Sequence, residues 1–271
     1  MMSVPRRFSH EQVARYVDRI GAPTPPEVTV DWLDAAQRAH LAHVPFEALD
    51  ICPLNRQLSL DVLDIYDKIV ERRRGGYCFE LNGLLGAMLE AIGFRVNRYQ
   101  ARFIEAARGG RLIYDHLVLG VQLPDDRREW VVDVGAGRDG PVGVAPFGAM
   151  SEAKRYCVAF QDEHWELTEV HPDGSERGLI EWLPDPVRLH DFADRHAALQ
   201  DDPESPFRQS PLCTIVTDGG RDTLAGWTLI ETRDGNRSER VLQDAAEVHA
   251  ILSERFGIDL GATTWWDGPK P

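Results

Sequence analysis

The hydrophobic period of this chain changes once, at Gly93, and that change limits the fold more than any other feature. Before it, apolar residues recur at helical spacing. From Phe94 onward they fall in short runs rich in β-branched residues, separated by turn signals. The chain therefore reads as α+β, with a helical segment over residues 1–93 and a strand-rich segment after it.

The helical segment carries its own punctuation. Ser9 with Gln12 makes a capping box, Val13, Tyr16, Val17 and Ile20 follow as an apolar stripe, and Gly21 ends the helix. After the proline-rich loop from Pro23 to Pro26, a second helix is predicted over 31–43 and must stop before Pro45. A third is predicted over 61–73, with Val62, Ile65, Tyr66 and Ile69 on one face and a basic last turn; Gly75 and Gly76 break it. The fourth begins near Cys78, carries Leu81, Leu84, Leu85, Met88, Leu89 and Ile92, and is closed by Gly93.

Residues 94–186 read as an antiparallel sheet or small barrel. Strands are predicted over 95–104, 112–123 and 130–134, and Pro172-Asp173-Gly174-Ser175 joins 165–170 to 178–183 as a hairpin. Residues 187–271 read as mixed α and β: a short helix over 191–199, strands over 212–217, 224–232 and 237–241, and a helix over 244–256 ended by Gly257.

Charge and cysteine usage narrow the function. The formal net charge is −14 over 271 residues, which argues against nucleic-acid binding, since phosphate contacts need Lys and Arg gathered on one face. There is no run long and apolar enough for a transmembrane helix, and the Met1–Arg7 stretch lacks an apolar signal core, so the expected location is cytoplasmic and no membrane partner is expected. Cys52, Cys78, Cys157 and Cys213 are far apart, fit no zinc spacing and make no disulfide framework. His40 and His43 lack nearby partner ligands, so no metal is expected. Cys52, Cys157 and Cys213 read as small buried hydrophobes.

Cys78 is different because of its setting. It sits in Arg74-Gly75-Gly76-Tyr77-Cys78-Phe79-Glu80-Leu81-Asn82, where two glycines allow a sharp turn and a helix start favours the thiolate. The flanking Arg72, Arg73 and Arg74 add positive potential if they point that way. Downstream, His116 lies in an apolar strand and shares a face with Tyr114 and Val118, while Asp115 points away from it. Asp133 ends the apolar run Trp130-Val131-Val132, where a carboxylate is costly unless it is paired. Taken singly, Cys78 reads as a structural cysteine, His116 as a histidine capped by a carbonyl, and Asp133 as a cap for the following turn. Taken together they form a Cys–His–Asp triad: Asp133 fixes the imidazole tautomer and His116 takes the thiol proton.

These residues resemble the arylamine N-acetyltransferase family. Arg74-Gly75-Gly76-Tyr77-Cys78-Phe79-Glu80 is similar to its cysteine motif, Asp115-His116-Leu117-Val118 to its histidine strand, and Val132-Asp133-Val134-Gly135 to its aspartate strand. The segments 16–21, 44–50 and Ser205-Pro206-Phe207 resemble further family signatures. The resemblance implies a helical bundle (1–93), a β-barrel (94–186) and an α/β lid (187–271), with a cysteine-protease-like core where the first two meet. It implies ping-pong chemistry with acetyl-CoA as co-substrate, no permanently bound cofactor, and an arylamine, hydrazine or N-hydroxyarylamine as acceptor, in a monomer or homodimer. It implies that Phe46 and Phe207 wall the substrate pocket, that Gly135, Ala136 and Gly137 lie beside CoA, and that Arg19 and Glu47 pair behind the site, near Arg74. Ala136 departs from the aromatic or larger residue common in the family and predicts a wider pocket; the stretch 138–143 matches loosely. An amide synthase closing a polyketide ring, a cysteine amidohydrolase and a silent binding module remain as alternatives.

Overall fold

A computed structural model describes residues 8–110, 113–137, 140–153, 155–261 and 263–270. The expected starting stretch 1–7, the predicted strand start at Leu112, and positions 138–139 of the loosely matching stretch lie outside them.

Four of the five longest helices end where their caps dictate. Helix α1 (His10–Ile20) has the Ser9/Gln12 capping box and a left-handed Gly21. Helix α2 (Val30–His43) is capped by Thr29 and stops at Val44, before Pro45. Strand β1 (Phe46–Glu47) follows, then α3 (Val62–Tyr66), which widens into a π-helical turn over Asp67–Glu71. The predicted basic last turn of this helix therefore falls outside it, and the chain reverses at Arg73, which is left-handed (φ +51°). Gly75 and Gly76 serve close approach rather than turning: a Cβ on Gly75 would stand 2.0 Å from the Pro45 carbonyl. Their segment lies beside β1, with the Glu47 amide donating to the Gly76 carbonyl at 2.8 Å. Helix α4 (Cys78–Ile92) comes next and is buried on nearly every side.

The strand-rich segment is one seven-stranded antiparallel sheet, built from β2 (Arg95–Phe103), β3 (His116–Gln122), β4 (Trp130–Val132), β5 (Ala145–Pro146), β6 (Tyr156–Gln161), β7 (His164–Val170) and β8 (Glu176–Trp182). The order is β5-β4-β3-β2-β8-β7-β6, and a bridge from Met150 to Cys157 brings the first edge to the last, so the sheet is nearly a closed barrel. A short helix, α5 (Ile104–Arg108), follows β2. The 172–175 turn joins β7 to β8 as expected, whereas β6 was not foreseen. In β3 the period of two sends Leu117, Leu119 and Val121 into the core of α1, α2 and α4, and Val118 into the barrel interior with Leu167, Ile180 and Trp182.

After α6 (Ala193–Asp201) and α7 (Pro206–Gln209) comes a meander: β9 (Leu212–Thr217), β10 (Gly220–Ala225), β11 (Thr228–Arg233) and β12 (Asn236–Val241). The single predicted strand over 224–232 is two, folded at Gly226-Trp227. Helix α8 (Ala245–Phe256), capped by Asp244 and Gly257, packs Val248, Leu252 and Phe256 on this sheet. Strand β1 joins its edge, pairing Phe46 with Thr214. The helical segment thus supplies a strand to the C-terminal sheet. No helix among the described residues is long and apolar enough to cross a membrane.

Candidate active site

Cys78 opens α4, His116 opens β3, and Asp133 follows β4 by one residue. The β3–β4 register pairs Leu119 with Val132, so the next step sets Asp133 opposite Val118, on the face that His116 shares. All three side chains are buried, Asp133 completely. His116 Nε2 lies 2.7 Å from Asp133 Oδ2. Its other ring nitrogen, Nδ1, is buried and makes no hydrogen bond, and the Cys78 thiol is the further group with which His116 interacts. The thiol also donates to the Asp115 carbonyl at 3.8 Å.

The electrostatics revise one expectation. Burial pushes the Cys78 thiol up from its ordinary pKa; the hydrogen bond and charge of His116 pull it back. The helix start does not leave an exposed, freely ionised thiol, because α4 is enclosed. For His116, burial favours the neutral ring, but the charge of Asp133, its hydrogen bond and the Cys78 thiolate outweigh that and push the imidazole up to about 10. Thiol and imidazole therefore titrate as one coupled unit.

The arginine run does not focus on the thiol. Arg72 pairs with Asp67 at the surface, Arg73 makes the turn, and Arg74 is buried. The expected pairing of Arg19 with Glu47 is also absent. Arg19 donates to the carbonyls of Ile69 (2.9 Å), His43 (2.6 Å) and Arg74 (3.1 Å), so it clamps the backbone leading into α4. Glu47 turns instead to Arg74, whose Nε lies 3.0 Å from Oε1, because β1 runs beside the Gly76 segment. Around that pair lies a buried network: Lys68 Nζ bonds Glu80 (2.9 Å) and Asp50 (3.1 Å), and Arg74 reaches Asp50 at 3.3 Å. Glu80 also accepts from the Tyr77 amide at 3.2 Å, capping the turn that bears Cys78.

Asn82 had no assigned role in the sequence. Its Nδ2 donates to Asp133 Oδ1 (2.8 Å) and to the Leu117 carbonyl (2.6 Å), and its Oδ1 accepts from the Val134 amide (2.9 Å). One amide thus ties α4 to β3 and β4. The signal was available: residue 82 is four beyond 78, on the same helical face. Tyr77, likewise passed over, bonds His196 Nδ1 through its hydroxyl and stacks on Phe207 edge-on, linking the nucleophile's turn to α6 and α7.

Gly135 lies against the nucleophile. A Cβ there would stand 2.7 Å from Cys78 Cα, so only glycine permits this approach. Phe46, Ala136, Gly137 and Phe207 line a cavity of about 410 Å³ between the barrel turn and the face of the β9–β12 sheet. Among the described residues no group of three or more His, Cys, Asp or Glu is placed to hold a metal ion.

The N-acetyltransferase family matches residues 29–265, a span that includes α4, both strands of the triad and the β9–β12 sheet. The arylamine N-acetyltransferase of Mycolicibacterium smegmatis is 32% identical over 260 residues, covering 91% of this chain and 91% of its own length. The solved arylamine N-acetyltransferase of M. tuberculosis superposes with a TM-score of 0.82 at 32% identity, covering 92% of this chain and 94% of that one. The Mycobacterium marinum enzyme, solved in complex with CoA, gives 0.81 at 29% identity over 91% and 92% of the two chains. With a matching fold, and with relatives above 30% identity along nearly the whole chain, this protein belongs to the arylamine N-acetyltransferase family.

Proposed function

We propose that the protein is an arylamine N-acetyltransferase that moves an acetyl group from acetyl-CoA to an arylamine, hydrazine or N-hydroxyarylamine through a thioester on Cys78. The observation that carries this reading is the buried His116–Asp133 bond with Nδ1 left free beside the thiol. It supplies a nucleophile, a proton carrier and a group that fixes the carrier, in a member of an acetyltransferase family.

In the first half-reaction the Cys78 proton passes to His116, and sulfur attacks the carbonyl carbon of acetyl-CoA. Asp133 stabilises the imidazolium that results. The C–S bond to CoA breaks, and the departing thiolate takes the proton from His116. The imidazole is then neutral, because the thiolate that helped hold its charge has become a thioester. In the second half an amine attacks the thioester carbonyl, His116 Nδ1 accepts a proton from nitrogen, and the Cys78 thiolate leaves. Two steps with a good leaving group replace one difficult transfer. Gly135 lets the barrel backbone close over Cys78, and the cavity lined by Phe46, Ala136, Gly137 and Phe207 lies where an aryl group would rest.

Intact mass spectrometry tests the intermediate. Acetyl-CoA alone should add one acetyl group, which Cys78→Ser should not acquire. Adding an arylamine should remove the group and release acetylated amine. Free acetate as the main product would instead make the protein a hydrolase, and an unlabelled Cys78 would end the reading.

A further inference from the structure

His196 is a buried titratable group for which the mechanism has no use, and it bonds directly to the residue before Cys78. It projects from α6 with both ring nitrogens engaged. Nε2 lies 3.0 Å from the Leu58 carbonyl, and Nδ1 meets the Tyr77 hydroxyl. A carbonyl only accepts, so Nε2 carries the hydrogen. Burial pushes the His196 pKa below its ordinary value, with Lys68 adding to this and the Leu58 carbonyl and Asp201 opposing it. The ring is therefore neutral, and Nδ1 keeps its lone pair. Burial also holds the Tyr77 phenol far above its ordinary value, so it keeps its proton and donates it to Nδ1.

The two nitrogens do different work. Nε2 attaches α6 to the loop before α3, where it is not alone: Gln200, one helical turn on, accepts from the Leu58 amide at 2.7 Å. Nδ1 instead holds the outer end of the Tyr77 ring, whose inner end is fixed by the backbone leading into α4. That ring is fully buried, stacks on the imidazole at 5.9 Å and 24°, and meets Phe207 edge-on at 5.8 Å. Phe207 stands on α7, a four-residue helix with no buried residue, so the direction of its ring rests on its ring neighbours. These are Tyr77 and, at 6.0 Å, Phe46. Phe46 and Phe207 wall the cavity beside the barrel turn. A chain of contacts thus runs from Nδ1 through Tyr77 to that wall. It bypasses the sulfur, which is held by His116 and the Asp115 carbonyl.

We propose that His196 is a positioning residue: its Nδ1 fixes the Tyr77 ring that backs Phe207, and so sets the aromatic wall against which an aryl acceptor rests. The inference rests on the acetyltransferase reading and adds to it a residue behind the site, acting on the acceptor only through these two rings. Without its acceptor the buried Tyr77 hydroxyl is unpaired, and the ring relieves that cost by turning toward another partner. The surface on which Phe207 packs then moves.

Two amides separate the nitrogens. The oxygen of His196→Asn takes the place of Nδ1, and the nitrogen of His196→Gln that of Nε2. Asparagine keeps the bond to Tyr77 and gives up the one to Leu58; glutamine does the reverse. The measured quantity is kcat/KM for 4-methoxyaniline divided by kcat/KM for hydrazine. Both attack the same thioester, but hydrazine has no ring to rest on the wall, and any loss of folded protein cancels. The ratio should fall roughly threefold to tenfold in His196→Gln, chiefly through the KM of the aryl amine. It should stay within about twofold of the parent in His196→Asn, although urea midpoints fall in both. Tyr77→Phe, which deletes one oxygen, should repeat the glutamine result, and it carries the test where His196→Gln does not fold. Iodoacetamide labelling of Cys78 against pH should be the same in all four proteins. A ratio that is equal in the two amides overturns the proposal, and so does a Tyr77→Phe ratio within about twofold of the parent or a shifted labelling profile. A parent enzyme that acetylated neither amine would remove the functional reading itself. One that acetylates both, with the ratio indifferent to His196→Gln, would remove only the role of His196.

Discussion

Asn82→Ala should separate the structural and catalytic contributions of the amide that joins α4 to the triad. Asn82 is fully buried and makes three hydrogen bonds, to Asp133, Leu117 and Val134. Alanine removes all three and leaves their partners in a dry environment. Asp133 Oδ1 keeps the Gly135 amide at 2.8 Å, so its loss is partial. Each buried group left short costs about 1–3 kcal/mol; the Leu117 carbonyl and the Val134 amide lose this partner outright and Asp133 in part, which gives about 2–7 kcal/mol for the variant. The upper part of that range equals the whole stability of a marginal domain, since ordinary domains have about 5–15 kcal/mol. Urea unfolding followed by tryptophan fluorescence measures it. The catalytic part needs a control that loosens α4 equally without touching the triad. Leu84→Ala removes a fully buried side chain from the same helix and should cost about 2–5 kcal/mol through its cavity. The acetylation rate per folded molecule, read from the p-nitrophenol burst, should fall at least tenfold in Asn82→Ala, because Asp133 no longer holds one orientation, and stay near normal in Leu84→Ala. An Asn82→Ala protein within about 1 kcal/mol of the parent, or one with an unaltered burst, refutes the reasoning.

Further expectations follow from the same geometry. Burial, partly offset by Lys68, pushes Glu80 up to about 7 from an ordinary 4.5, so the folded state binds a proton that the unfolded chain releases between those values. Stability should therefore fall by about 3 kcal/mol as pH rises across that window, and Glu80→Gln should flatten the slope; parallel urea-midpoint curves for the two proteins would contradict this. Asp133→Asn removes the charge that holds His116 up at about 10, leaving burial to favour the neutral ring. Iodoacetamide labelling of Cys78, followed against pH, should lose its reactivity at neutral pH and recover only as the thiol itself ionises in alkali; an unchanged profile would mean that the carboxylate is not the cause. Ala136→Phe should narrow the acceptor range, lowering rates for bulky aryl amines more than for small ones, and an unchanged ratio of the two rates removes Ala136 as a determinant.

What the sequence made legible was what neighbouring residues decide. Ser9, Gly21 and Gly257 mark helix ends by local capping and Pro45 bars a longer α2, and α1, α2 and α8 end accordingly. The three segments that supply Cys78, His116 and Asp133 were legible because each sits at the end of a strongly apolar run. The third helix was less so. Its expected end at residue 73 presumes regular α-helical turns, whereas a π turn over Asp67–Glu71 accompanies the burial of Lys68 against Glu80 and Asp50. Charge pairing between residues this far apart leaves no periodic trace. The fold at Gly226-Trp227 was hidden for another reason: the run from Leu224 to Thr232 is apolar on both sides of a single glycine, so one long strand and a tight hairpin share a pattern. The pairing of Arg19 failed because resemblance transfers residues, while partners depend on how β1 and the Gly76 segment lie together.

The pieces that could not be read locally are the ones that close the site. Strand β1 is two residues long, yet it sets Phe46 against Gly137 on one side and Thr214 on the other, so the barrel turn and the β9–β12 sheet meet across it. Its position is fixed from behind by Glu47, which accepts the Leu49 amide at 2.7 Å and the Arg74 side chain, and Arg74 lies four residues before Cys78. The buried charges are therefore not spread through the core for stability alone. Replaced by well-packed apolar residues, such groups often cost a fold little. Here they fix the relative placement of the strand that walls the pocket and the turn that carries the thiol. A cavity that must accept two different substrates in succession needs walls that keep their spacing while it is empty, and directional bonds between β1, α3 and α4 maintain that spacing where apolar contact would allow sliding.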